Sequence, residues 1–238
     1  MRGAFGFLTV LGGATPPTPG AVAWFPLVGA LLGLAVGGTW IGAGHAWPGV
    51  VAAAIVVTVD VILTGALHVD GVADTGDGLL PALPRERRLA AMADPHIGAF
   101  GAASVTTVLL LRFASLAAGP ASVWVIVSLW CGSRTAVALV LLIGTYARST
   151  GLPSAFHDGS RSRARPLVVV AVGLAISLVS AVAHRPGHGV AALAAELVAI
   201  ALVTVAAYRR LGGYTGDVLG ADIVIGETAG LLVWSAQW

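Results

Sequence analysis

"VVAAAIVVTVDVILTG", residues 50–65, runs straight into "ALHVDGVADTGDGLL", residues 66–80. The first stretch carries one charge, Asp60. The second gathers three, Asp70, Asp74 and Asp77, among small residues. A run as apolar as the first is built to face lipid or a core, and the rest of the chain decides which. Of its 238 residues 57% are hydrophobic and only 10% charged, with a mean hydropathy of +0.91. Soluble domains carry roughly 25% charged residues, so this chain cannot cover a soluble surface. The composition predicts an all-α, polytopic membrane protein, because lipid leaves a spanning chain only helices or closed barrels and no strand alternation is visible.

A membrane helix needs about 20 predominantly apolar residues. Seven runs qualify: 21–43, 49–67, 97–118, 122–146, 166–183, 190–207 and 218–238. They form one integral domain over residues 1–238, with polar loops at about 68–96, 147–165 and 208–217. The N-terminal "MRGAFGFLTVLGGATPPTPG" reads as an interfacial segment rather than a signal peptide. All 13 basic residues are arginine. With the N-terminus inside, Arg2, Arg85, Arg87, Arg88, Arg148, Arg161, Arg163, Arg165, Arg209 and Arg210 fall on the inner face, and Arg185 alone falls on the outer turns. That asymmetry predicts a cytoplasmic position for the polar loops. The net charge of +2 and the lack of a long basic run exclude a nucleic-acid role. The single cysteine, Cys131, excludes an internal disulfide and a cysteine metal site.

Asp70, Asp74 and Asp77 are spaced i, i+4, i+7. At 100° per residue they lie within about 60° of arc on a helix. Three crowded carboxylates raise one another's pKa, and a divalent cation relieves that. Hard oxygen ligands suit Mg²⁺, held by carboxylates together with substrate phosphates. Gly71, Gly76 and Gly78 permit close approach of a ligand. The competing reading is a solvated loop whose acids cap the next helix. His68 and His96 flank the segment as binding or acid–base candidates. Arg85, Arg87 and Arg88 suit either anionic lipid or a diphosphate.

Four more ionisable residues fall inside apolar runs: Asp60, Arg112, Arg134 and Glu227. Such residues are functional candidates by default, with internal ion pairing as the alternative. Glu196 lies nearer an interface. Further along, "RRLGGYTGDVLGA" carries Gly212, Gly213, Thr215, Gly216 and Asp217 ahead of the last apolar run. It reads either as a helix start with Asp217 as N-cap or as a phosphate-binding turn with a fourth carboxylate.

Together, "HVDGVADTGDGL", "ERRLAAMADPHIGAFGA" and "RLGGYTGDVLGA" resemble the cobalamin synthase family, and "AWFPLVGALLG" and "YARSTGLPSAF" extend the likeness over nearly the whole chain. "FLTVLGGATPP" departs from the family by lacking a basic residue after "FLT". The resemblance implies an enzyme that joins adenosylcobinamide-GDP to α-ribazole, or its 5′-phosphate, with release of GMP. It further implies Mg²⁺ and a place in the bacterial inner membrane. On that chemistry Asp70, Asp74 and Asp77 hold Mg²⁺, Arg85, Arg88, Arg112 and Arg134 face the diphosphate, and Asp94 or His96 takes the hydroxyl proton. Asp94 and Asp217 complete a second metal site if there is one. A homo-oligomer is left open. Two other classes fit parts of the pattern. A CDP-alcohol phosphotransferase also sets aspartates at helical spacing, but its motif has Arg where Asp74 stands. A transporter places its site near midplane, often with repeats, and neither feature is seen.

Overall fold

The computed structural model describes residues 1–13, 19–148 and 164–237. The chain folds into α1 (Arg2–Leu8), a 3₁₀ turn (Pro19–Trp24), α2 (Phe25–Ala46), α3 (Gly49–Thr64), α4 (Leu67–Leu79), α5 (Arg85–Ala91), α6 (Ala99–Ala118), α7 (Val123–Ile143), α8 (Ala164–Val182), α9 (Pro186–Leu211) and α10 (Gly216–Trp234). Most of the expected 147–165 loop, with Arg161 and Arg163, lies outside the described residues.

Each of the seven apolar runs falls on a helix, but seven full spans are not found. Among the described residues four helices are long and apolar enough to cross a membrane: α6, α7, α9 and α2 with its preceding turn. A fifth span results if α3 and α4 count as one bent unit. The shortfall has local causes. At 16 residues, α3 is about 24 Å long, short of a ~30 Å hydrocarbon core. In α8 the apolar stretch is only Leu167–Val182. In α10 three acids, Asp217, Asp222 and Glu227, break the apolar run. Even so, α10 runs the height of the bundle. It starts beside α4, and near its far end the Trp234 indole N–H donates to Pro120 O between α6 and α7, at 2.9 Å.

The break after α3 places the site. Gly65 and Ala66 both take left-handed backbone angles, at φ 61° and 59°. Ala66 is unusual there, since its Cβ is disfavoured in that region. The pair turns α4 by 90° away from α3, so α4 runs across the direction of the spans and is not itself one. It lies over the N-terminal ends of α6 and α10. Gly71 packs so closely that a Cβ would sit 2.6 Å from Asp217 O, and Gly101 of α6 meets Ala73 O equally tightly. This end of the bundle carries α5 with Arg85, Arg87 and Arg88, and also Arg148, Arg209 and Arg210.

Small residues set the core. Gly29, Gly33 and Gly37 repeat every four residues along α2. A Cβ at each would collide with the α7 backbone at Trp130, Val127 and Val123. Close backbone approach of this kind is how membrane helices associate where lipid removes the hydrophobic drive. Trp130, Phe25, Tyr214 and Trp234 fill the space between the helices and are fully buried.

Candidate active site

Of the two faces of α4, one packs Val72 with α10 residues in the core and the other carries the acids. The three aspartates do not converge on one point. The Asp77 carboxylate accepts from Gly98 N at 2.7 Å with one oxygen and from Gly101 N at 2.8 Å with the other. It therefore satisfies the orphan N–H groups at the start of α6, the capping role that the sequence left as the competing reading. Asp77→Ala is expected to lower stability by about 1–2 kcal/mol, read by heat denaturation in detergent. An unchanged transition would mean that α6 does not depend on this cap.

Asp70 and Asp74 remain on the open face, and Asp217 joins them from the first turn of α10. Burial and the neighbouring charges of Asp217 and Asp70 push the half-buried Asp74 carboxyl up to about 7. Arg148 offsets part of that crowding. Its guanidinium pairs with Asp217 Oδ2 at 3.1 Å and donates to Met92 O at 3.3 Å. Arg148 is the residue that sequence reasoning passed over as a site member. It lies inside the quoted "YARSTGLPSAF", but no spacing ties it to the aspartates.

The glycine-rich turn has a different job from the one expected. Gly212 ends α9 in a left-handed conformation, φ 80°. Gly213 lies against Thr145, where a Cβ would come within 2.2 Å of the carbonyl oxygen. The chain there pairs with residues 145–147: Tyr214 N donates to Thr145 O at 3.0 Å and Ala147 N to Tyr214 O at 2.8 Å. This short bridge carries Arg148 to Asp217. Thr215, not Asp217, is the N-cap of α10, its hydroxyl accepting from Val218 N at 3.3 Å. Relieved of that role, Asp217 faces the acids of α4.

Arg85 and Arg88 hold backbone rather than an open anion site. Arg85 donates to Leu211 O at 2.7 Å and Ala147 O at 2.8 Å. Arg88 is buried and donates to Gly78 O and Leu79 O at the end of α4, at 2.8 and 2.9 Å. Arg210 also reaches Leu79 O. Asp94 and His96 sit on an exposed turn and bond to one another, with His96 N and Nδ1 at 2.9 and 2.8 Å from Asp94 Oδ1. Those hydrogen bonds hold the Asp94 carboxyl below its ordinary range. Among the described residues neither contacts the acids of α4.

Arg112, Arg134 and Glu227, expected among the substrate-binding residues, do not line the acidic cleft. They form one buried network with Asp60 in the core of the bundle. Arg112 bridges Asp60 Oδ2 at 2.5 Å and Glu227 Oε2 at 2.6 Å. Arg134 pairs with Glu227 Oε1. Trp130 Nε1 donates to Asp60 Oδ1 at 2.9 Å, and Ser133 Oγ to Glu227 Oε1 at 3.1 Å. The Arg134 and Glu227 side chains are each 1% exposed, and each is satisfied inside the bundle.

Beside the acids a cleft of about 100 Å³ opens between α1, α4, α7 and α10, and His68, Asp70 and Asp217 line it. Among the described residues no group of three or more His, Cys, Asp or Glu side chains is arranged to hold a metal ion. Mg²⁺ does not require one. It is commonly bound by one or two carboxylates plus substrate phosphates, and the charge crowding at Asp74 is what a cation would relieve. Asp70 and Asp74 are the acids of α4 on the open face that would hold it; Asp77, expected as the third ligand, already accepts a backbone N–H on each oxygen.

A family profile described as cobalamin-5-phosphate synthase matches residues 1–235. Curated relatives carry the name adenosylcobinamide-GDP ribazoletransferase. The one from Citrobacter koseri is 37% identical over 214 residues, 87% of this chain and 84% of its own length. That from Desulfitobacterium hafniense is 37% identical over 222 residues, 88% and 83% respectively. The Escherichia coli K12 protein is 37% identical over 217 residues, 87% and 84%. No solved structure matches the chain.

Proposed function

The chain belongs to the cobalamin-5-phosphate synthase family, and on that premise we propose that its acidic cleft joins adenosylcobinamide-GDP to α-ribazole, or its 5′-phosphate. The products are adenosylcobalamin, or its phosphate, and GMP. The observation that carries this assignment of the site is the meeting of Asp70, Asp74 and Asp217 with Arg148 at one end of the bundle. A diphosphate needs cationic charge and fixed ligands at that spot. The bacterial inner membrane, with this end toward the cytoplasm, agrees with the arginines gathered there.

A ribose hydroxyl of ribazole attacks the phosphorus on the cobinamide side. The new O–P bond forms as the P–O bond to GMP breaks, and GMP leaves with the electron pair. Asp217 takes the hydroxyl proton at Oδ1, the oxygen that neither Arg148 nor Thr215 engages. Arg148 stabilises charge on the phosphoryl oxygens. Asp70 and Asp74 would hold Mg²⁺, which neutralises the diphosphate and eases departure of GMP.

Detergent-solubilised protein given adenosylcobinamide-GDP, α-ribazole and Mg²⁺ should release GMP in step with cobalamin. Release of CMP from a CDP-linked lipid, or no nucleotide at all, would overturn the assignment. The raised Asp74 carboxyl gives a second check. A carboxyl whose folded value, about 7, lies above its ordinary 3.8 keeps its proton when folded and loses it when unfolded. Stability of the metal-free protein should therefore fall as pH rises through that window and level off above it. Mg²⁺ should flatten the decline, and Asp74→Asn should abolish it. Melting temperatures from pH 4 to 8, with and without Mg²⁺, read this directly; a slope that survives Asp74→Asn would assign it to another group.

A further inference from the structure

We infer that the cleft beside Asp70 and Asp217 seats the benzimidazole base of ribazole, with His68 donating a hydrogen bond to the unsubstituted ring nitrogen. The inference rests on the reaction proposed above and names where one of its two substrates lies. The cleft is walled by Phe7 of α1, Leu67 at the start of α4, Val137 of α7 and Ile223 of α10. One edge is polar: Asp70, Asp217 and His68. His68 is only 5% exposed, and what it exposes lines this cleft. No hydrogen bond ties its ring to another side chain among the described residues, so its N–H is available to a ligand seated there.

The chemistry of the base matches these walls. A methylated benzimidazole is a flat, largely apolar bicycle with one free ring-nitrogen lone pair. An apolar cleft with a donor at its one polar edge suits that polarity. A purine brings further ring nitrogens and exocyclic polar groups, for which Phe7, Leu67, Val137 and Ile223 offer no partner; only Asp70 and Asp217 at the polar edge would meet them, and the proposed reaction commits those two to Mg²⁺ and the ribose hydroxyl. Sites of this kind discriminate strongly against groups whose hydrogen bonds go unmet. The placement also orders the reactants. With the base held between α1, α7 and α10, the attached ribose lies at the polar edge, beside Asp217.

Steady-state GMP release by the full-length protein, in detergent with Mg²⁺, tests the assignment by varying one substrate at saturating levels of the other. Val137→Phe fills the cleft and should raise KM for α-ribazole at least about tenfold, leaving KM for adenosylcobinamide-GDP unchanged. His68→Leu removes the donor and should raise KM for α-ribazole about tenfold, and His68→Gln, which keeps an N–H, should recover most of that. If Val137→Phe does not fold, Val137→Ala widens the same wall and should improve use of a ribazole analogue with bulkier alkyl groups. A rise in KM for adenosylcobinamide-GDP instead would place guanine or cobinamide in the cleft and overturn the inference. Unchanged values for both substrates would make it a lipid-filled gap. Wild-type protein that releases no GMP would overturn the reaction itself, whereas normal wild-type turnover with unaltered variants removes only the base seat.

Discussion

Replacing Glu227 with alanine is expected to cost about 3–5 kcal/mol of stability, enough to leave little folded protein. The carboxylate accepts from Arg112 and Ser133 and pairs with Arg134, all out of reach of water. Removing it leaves two guanidinium groups with Asp60 as their one directly paired carboxylate and Glu196 acting only through its charge, in a core that cannot hydrate them. Breaking a buried ion network from one side is far more damaging than exchanging all its members for apolar groups. Glu227→Gln keeps an acceptor oxygen and should fall between wild type and alanine. Circular dichroism of the variants during heating in detergent reads the effect. A loss below about 1 kcal/mol for Glu227→Ala, accompanied by loss of GMP release, would return this residue to the substrate site.

Asp74→Asn carries the second large effect, on rate rather than on folding. The change keeps the shape and removes one charge from the crowded trio of Asp70, Asp74 and Asp217. With one Mg²⁺ ligand weakened, transition-state stabilisation should fall by roughly 3 kcal/mol, about a hundredfold in GMP release. Raising Mg²⁺ should restore part of it. Melting of the metal-free protein should hold or improve, because like charges have been separated. Asp77→Asn, two oxygens of which are committed to α6, should behave oppositely: stability drops and Mg²⁺ dependence holds. Full activity of Asp74→Asn at unchanged Mg²⁺ dependence would show that the acids are a solvated helix face and not a metal site.

How far the fold was legible in the sequence differs from element to element. Helices were readable from apolar runs, since nothing but a helix buries its own backbone in lipid. Their spanning was less so, because length and composition do not reveal that α3 stops at Thr64. The bend follows from Ala66 at positive φ, for which alanine gives no warning. On α4 the i, i+4, i+7 spacing correctly put three acids on one face. Which of them stays open depends on α6, whose N-terminal N–H groups capture Asp77 from 21 residues away. Arg112, Arg134 and Glu227 were visible as ionisable residues in apolar runs, and only the packing distinguishes pairing with each other from pairing with a ligand. Asp217 and Thr215 sit two residues apart, so helix-start chemistry alone did not decide which is the cap. Arg148 was hidden for a different reason: it reaches Asp217 through a bridge between segments nearly 70 residues apart.

The buried network also bears on how such a chain enters a bilayer while it is being made. Its charged members emerge in the order Asp60, Arg112, Arg134 and Glu227, with Glu196 coming between the last two and acting on Arg134 through its charge. The running charge goes from negative through neutral to positive and back. It never strays more than one unit from neutrality before the final helix arrives. An unpaired charge at the centre of an inserted helix costs about 2.5–3.5 kcal/mol. Synthesis in this order therefore never leaves the membrane with more than one unbalanced network charge at a time. Exchanging the order of α3 and α7 would bring both arginines in ahead of either acid and lose that protection.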